Sequence, residues 1–476
     1  MMLAALLLAA IVLGLAAALR GPEYDEGYTA FVTGTNPRPA WPATPFLAGD
    51  MRPAFCPAAT PWAIAGNLRR TDVHPPLYFW LVWAWRRAFG PDLLASRLLS
   101  VLCSLTSLAL VLALARAAEV PALPALLLTL GCFVFVETGI TARGYALAQT
   151  LQLAGLLVSL RARNGRAAMG AGLLLGAASF TNYLTAFPAA AAALWLLRRR
   201  RRHGLWLVAG LAPFVAGDAF FFWVQKGSRI GQFAPFAWGG FAQALAQSVG
   251  GAVLGGLPRY LPAGLWRWGL GGLLALLLAL MLLLPLFRWR RIGAPGPRVL
   301  LALAALSTPC GLLFMGLAAH STPVELRYLA FALPPFALLL ADAIGTLGPA
   351  SRGVFLAFIL GVQAASIGGL MAAPATMQPE GAAARLAAQA AGTRGLVLLP
   401  RGNDGVGIVS AFLTAAPDWL HILLVSPGEV STTLQPLIAR FPCVVAPLLA
   451  VDDSSRATRP LIRMMLHRNR NCIDGS

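Results

Sequence analysis

Residues 196–204 read "LLRRRRRHG", with apolar runs at 184–197 and 205–224 on either side. Short loops that carry Arg or Lys stay on the cytoplasmic side of a membrane. The side on which these five arginines sit therefore fixes the orientation of every other apolar run. Other Arg clusters follow the same pattern, "RARNGR" at 161–166 and "FRWRRIGAPGPR" at 287–298. All of them lie between apolar segments.

Composition sets the class. Hydrophobic residues make up 58% of the 476, charged residues 12%, and the mean hydropathy is +0.71. A soluble domain carries about a quarter charged residues, so the chain reads as a polytopic membrane protein. The net charge of +19 comes almost entirely from arginine, since Lys226 is the one lysine. Basic residues spread over loops form no groove-tracking patch, which excludes nucleic acid as a partner. The first run, 3–19, lacks a basic leader and a small-x-small cleavage site and reads as a span.

A span needs about 20 apolar residues. Runs of that length or slightly less occur near 3–19, 98–116, 120–138, 145–160, 168–182, 184–197, 205–224, 269–287, 299–319, 328–345 and 353–371. The stretch 75–90, "PPLYFWLVWAWRRAFG", is short, opens on two prolines and ends in Arg86 and Arg87. With the N-terminus cytoplasmic and 75–90 not crossing, Arg116 and the clusters at 161–166, 198–202, 288–298 and 352 all face the cytoplasm. If 75–90 crossed, the five-arginine run would face outward. The stretch therefore reads as an interfacial helix with Trp80, Trp83 and Trp85 at headgroup level.

The expected architecture is an α-helical membrane domain of about eleven spans over 1–371. It carries a long first outer loop at 20–97 and a second at 225–268. After 372, "RLAAQAAGTRGLVLLPRGNDG", "WLHILLVSP" and "FPCVVAPLL" read as helix and buried strands. These predict a small extracytoplasmic α/β domain with a parallel sheet over 372–476. No glycine-rich phosphate loop occurs in it. Cys443 and Cys472 share this segment and are candidates for a disulfide in an oxidising compartment.

Under that topology the polar residues converge on the outer side: Asp25, Glu26 and Tyr28 in "YDEGY", Asp72 and His74 in "TDVHPP", Glu137, Arg143 and Tyr145 in "VETGITARGYA". Asn182 in "TNY", Lys226 in "QKGSR" and Arg327 and Tyr328 in "HSTPVELRY" join them. Ionisable residues at membrane depth are costly and tend to be functional. Each has a plainer alternative: Asp25 as a solvated helix cap, Arg143 as an interfacial anchor, Arg327 as the partner of Glu325, His74 as a turn residue. A carboxylate beside cations suits transfer from a phosphate-linked lipid donor. The cations bind the phosphate and Asp25 serves as general base to a hydroxyl acceptor, with Glu26 beside it in orientation or metal binding. Glu26 and His74 are the candidates should a divalent metal take part, and no other cofactor is expected.

Five ordered segments carry a family resemblance: "DEGYTAF", "DVHPPLYFWLVWAWRRAFG", "ASRLLSVLCSLTSLALVLALAR", "ARGYALAQTLQLAGLL" and "LRYLAFALPPFALLLADAI". Over about 1–345 the chain resembles the dolichyl-phosphate-mannose–protein mannosyltransferase-like superfamily of GT-C glycosyltransferases, whose bacterial members include the lipid A aminoarabinose transferases. The resemblance implies a polyprenyl-phosphate sugar donor, an inverting transfer and Asp25 as the base. It implies a bacterial inner-membrane protein whose acceptor is an extracytoplasmic lipid, glycan or protein. Arg143 and Tyr145 match the family's "ARxYAL" segment, and Arg327 and Tyr328 its "RYL" segment. His74 stands where the aminoarabinose branch has a lysine, and Tyr28 where it has an arginine. "TNY" replaces a hairpin that often carries a histidine. A lipid-linked sugar transporter, a polymerase or ligase with a lipid-diphosphate donor and a membrane-anchored scaffold are the alternatives. The topology predicts that a reporter fused after residue 203 behaves as cytoplasmic and one at 476 as periplasmic; the opposite labelling would overturn the assignment of the polar residues to one side.

Overall fold

The computed structural model describes residues 1–225, 233–254, 296–372, 379–429, 431–449 and 451–468. In chain order its helices are α1 (Met2–Leu19), α2 (Tyr24–Thr33), α3 (Pro61–Thr71), α4 (Leu77–Phe89), α5 (Leu93–Ala118), α6 (Ala122–Gly131), α7 (Phe133–Ile140), α8 (Tyr145–Arg161), α9 (Gly165–Ser179), α10 (Ala186–Arg199), α11 (Arg201–Val224) and α12 (Trp238–Leu254). Then come α13 (Pro297–Ala319), α14 (Leu333–Gly345), α15 (Pro349–Ala372), α16 (Pro379–Ala391), α17 (Gly407–Ala415), α18 (Ser431–Ile438) and α19 (Asp453–Arg468). The chain divides into two compact units. The first comprises Met1–Ala18, Leu68–Tyr78 and Arg97–Ala372; the second comprises Leu19–Asn67, Phe79–Ser96 and Ala373–Ser476.

The first unit is helical. Among the described residues α1, α5, α11, α13 and α15 are long and apolar enough to cross a membrane, and α6 with α7 makes a sixth if the bent pair counts as one span. α1 has no charge and is apolar all round. Its small residues Ala5, Ala9, Ala16 and Ala17 face protein, while Leu3, Leu7, Ile11 and Leu15 stay exposed. Large side chains outward and small ones inward is the pattern of a helix solvated by lipid. On α11, Gly204, Leu207, Gly210 and Leu211 face protein while Phe222 and Trp223 are exposed. At Gly210 a Cβ would run into the Met169 carbonyl of α9, so glycine permits the close helix approach.

The run at 120–138 is not one straight helix. α6 and α7 bend by 67° around Cys132, whose backbone is extended. The break costs Leu128 O its ordinary helical donor. The Cys132 thiol at 3.2 Å and Gln363 Nε2 at 3.4 Å replace it, as a buried backbone group in lipid requires.

The expected eleven spans meet shorter helices in several places. α8, α9, α10 and α14 have 17, 15, 14 and 13 residues, and the run at 269–287 lies outside the described residues. The stretch 75–90 forms α4, with 13 residues. At 1.5 Å per residue it is about 20 Å long, short of the roughly 30 Å hydrocarbon core.

The second unit holds a four-stranded sheet in the order β1-β3-β2-β4, where β1 is Phe46–Leu47, β2 Leu396–Pro400, β3 His421–Val425 and β4 Val444–Val445. β2 pairs in parallel with β3 and β4, as the helix–strand alternation predicts. All five residues of β2 are buried, which explains the unbroken apolar run. β1 adds antiparallel to β3; a dipeptide between α2 and α3 carries no strand signal of its own. α2 packs on α17 in this unit. Cys443 is disulfide-bonded, Cys56, Cys103, Cys132 and Cys310 are free, and Cys472 lies outside the described residues.

Candidate active site

In the first unit, four chain segments meet through side chains at the ends of α3, α7, α9 and α11. Asp72 follows the last turn of α3 and is buried. Its Oδ1 accepts from Val73 N and bonds His74 Nδ1, each at 2.7 Å. Its Oδ2 pairs with Arg143 Nη1 at 3.4 Å. A carboxylate accepts only, so the proton of that bond sits on Nδ1 of His74. Gln225, just beyond α11, donates to the His74 carbonyl at 2.8 Å and accepts from the Tyr183 hydroxyl at 3.0 Å. Leu77 N donates to Phe180 O, so the His-Pro-Pro segment also lies on the α9 hairpin by its backbone.

Side-chain exposure sorts the cations. Arg143 is 2% exposed and Asp72 4%, against 16% for His74 and 26% for Arg327. Arg143 is thus a charge held behind the surface, and His74 and Arg327 are the groups with access. Arg327 Nε donates to Glu325 at 2.6 Å, the pairing that is its plainer alternative.

The "RYL" segment is a 3-10 helix, Leu326–Phe331, and α8 holds it. Gln149 donates to Ala330 O at 2.6 Å and Gln152 to Phe331 O at 2.9 Å, while the Tyr145 ring stacks on Phe331 with centroids 6.0 Å apart. Both tyrosines of the matched segments therefore have structural contacts, Tyr328 against Phe233. Asn182 caps its own turn, accepting from Leu184 N at 3.1 Å. Glu137 is half-buried on α7, and its carbonyl accepts from Thr141. Lys226 lies outside the described residues.

The acidic pair belongs to the second unit. The cap of α2 is Glu23, not Asp25: Glu23 accepts from Asp25 N at 3.3 Å, and Glu26 reaches back to Glu23 N at 2.9 Å. This reciprocal capping box gives Glu26 a structural task. Asp25 is 6% exposed, which removes the solvated-cap alternative. Its place in the first turn suits the positive end of the helix dipole. Arg38 lies over the Tyr28 ring at 5.4 Å.

Tyr183 belongs to the "TNY" stretch of the polar set, while its partner Gln225 does not stand out in the sequence. Both sit at the edge of an apolar run, and nothing local names their partners. Among the described residues no group of three or more His, Cys, Asp or Glu could hold a metal. Glu26 is committed to its cap and His74 Nδ1 to Asp72.

Residues 73–217 match the family model of dolichyl-phosphate-mannose-protein mannosyltransferase. The crystal structure of ArnT from Cupriavidus metallidurans bound to undecaprenyl phosphate is similar over 94% of this chain and 89% of that one, with a TM-score of 0.51 at 13% identity. The apo structure of the same protein matches over 92% and 88%, also at 0.51 and 13%. The chain shares the fold of ArnT. No curated protein sequence matches it. The matched residues 73–217 include His74, Arg143, Tyr145 and Asn182, while the segments "DEGYTAF" and "LRYLAFALPPFALLLADAI" lie outside them.

The lattice makes a stability prediction. Asp72→Asn removes the carboxylate charge from a buried ion pair and should cost about 3–5 kcal/mol. Gln225→Leu, which breaks two hydrogen bonds, should cost about 1–3 kcal/mol. Thermal unfolding of the detergent-purified protein checks both; a wild-type Tm in Asp72→Asn would show that the pair does not hold these loops.

Proposed function

We propose that this GT-C protein is a membrane glycosyltransferase that moves a sugar from a polyprenyl-phosphate donor to an extracytoplasmic hydroxyl of a lipid, glycan or protein. The observation that carries the reading is the buried Arg143–Asp72–His74 series in a chain of this fold. A nearly apolar unit keeps an ion pair of this kind at a cost in desolvation, and a phosphate ligand supplies a reason for it. ArnT, bound to undecaprenyl phosphate, is a protein of the same fold with such a lipid.

His74 and Arg327 have the exposure to bind the donor phosphate, with Lys226 as a further cation from the sequence. Arg143 serves by holding Asp72, and through it His74. With Nδ1–H donated to Asp72, an imidazolium His74 presents Nε2–H to the phosphate. Tyr28, Glu137, Tyr145, Asn182 and Tyr328 are assigned to shape the substrate site. Asp25 takes the proton of the acceptor hydroxyl. The acceptor oxygen bonds to the anomeric carbon as the bond from that carbon to the phosphate oxygen breaks, with inversion, and polyprenyl phosphate leaves with the electron pair. Glu26 orients the first turn of α2. The site and the α/β unit face the periplasm, with the chain in the inner membrane.

General-base catalysis contributes about 10²–10⁴-fold. Asp25→Asn should therefore lower turnover of a polyprenyl-phosphate sugar by about that factor while donor affinity stays near wild type. Purified, folded Asp25→Asn protein with near wild-type turnover would contradict the mechanism.

A further inference from the structure

The second unit contains a sheet whose ligand crevice is closed by the chain itself. Its parallel strands lie in the order β3-β2-β4, so strand order reverses between β2 and β4. Open α/β sheets bind ligands outside the carboxyl ends of the strands at such a reversal. Here the loops after β2 and β4 bond to each other. Asp452 accepts from Asn403 N at 2.9 Å, and Asn403 accepts from Ser454 N at 3.1 Å. The first outer loop then covers the β2 loop, with the Trp41 indole N–H donating to Gly405 O and Arg38 pairing with Asp404 at 3.5 Å.

The same side of the sheet grips α2 on both flanks of its acidic pair. Before Asp25, the Tyr24 hydroxyl donates to Glu380 Oε1, across 356 residues of sequence. After Glu26, Gly27 sits against Ser410 of α17 with no room for a Cβ. Glu380 is fully buried, and its Oε2 has no hydrogen-bond partner among the described residues. Burial pushes the Glu380 carboxyl above the usual carboxylate range, and burial together with the Glu380 charge pushes the Tyr24 hydroxyl up. A half-satisfied buried carboxylate is poor material for stability alone, because an apolar pair of similar volume would serve as well or better. It does fix a geometry.

We infer that the α/β layer is the positioning element of the acidic pair: Glu380 acting through Tyr24, and Ser410 acting through Gly27, set the turn of α2 that carries Asp25. This rests on the reading of Asp25 as the base.

The test uses the full-length protein and the undecaprenyl-phosphate sugar it turns over, chosen from a panel of such hexoses and pentoses by release of undecaprenyl phosphate. The double variant Tyr24→Phe with Glu380→Leu exchanges the polar pair for an apolar one, so its Tm should equal or exceed wild type. Misplacement of a reacting group by about 1 Å costs on the order of 10²-fold. In the double variant kcat should fall about 10- to 100-fold with KM within about twofold. Glu380→Gln keeps an acceptor for Tyr24 and should retain kcat. Should the double variant fail to fold, Gly27→Ala gives the reading: kcat falls, and adding Ser410→Gly restores it. A wild-type kcat in the folded double variant, or no restoration by Ser410→Gly, overturns the inference. Asp25→Asn in the same assay separates the two claims. If it keeps turnover, the base reading fails and the positioning claim with it. If it loses turnover while the double variant keeps it, the positioning claim alone is wrong.

Discussion

Asp72 is the carboxylate on which the arrangement of the first unit's polar loops depends. It is buried, and one oxygen holds His74 while the other meets Arg143. Removing it would leave Arg143 without this counter-ion in a nearly apolar surrounding, the situation that makes broken buried pairs so costly. Gln225 extends the constraint to Tyr183. The result is that the ends of α3, α7, α9 and α11 are tied by directional bonds, while the helix shafts pack by small residues such as Gly210. Packing of that kind has little directional specificity of its own. The polar lattice supplies it.

The second unit follows a different physical rule. Its sheet is held by conventional apolar burial, with all of β2 inside, and it recruits the segment between α2 and α3 through β1. α2 belongs to this unit by its contacts with α17. The residues around Asp25 are therefore fixed by a layer some 350 residues away in sequence, as the 356-residue separation of Tyr24 and Glu380 illustrates. A helix of ten residues is marginal in isolation. Its capping box and its docking on α17 make it a defined element.

Much of this was legible in the sequence, and the gaps have physical causes. Membrane character, the α/β segment after 372 and the short helix within 75–90 follow from composition, run length and β-strand patterning. Asp72, His74 and Arg143 were found because acids and bases are conspicuous in apolar chains. The break at Cys132 was not visible, since the residue is apolar and its deviation is compensated by Gln363, 231 residues away. The sequence left Glu26 open between orientation and metal binding, and the capping geometry gives it the first of these tasks. Gln225 was hidden for a related reason: an amide at a run's edge says nothing about which distant groups it serves. The burial of Arg143 relative to His74 and Arg327 is likewise a tertiary property.

The central claim is that the more exposed cations beside this lattice bind a lipid phosphate. The direct measurement is the affinity of the purified protein in nanodiscs for undecaprenyl phosphate, in the wild type and in His74→Ala/Arg327→Ala. Each charge-assisted hydrogen bond is worth roughly 1.5–3 kcal/mol, and about 1.4 kcal/mol is tenfold in affinity. The double variant should therefore bind about a hundredfold more weakly or worse. An affinity within about twofold of wild type would contradict the account.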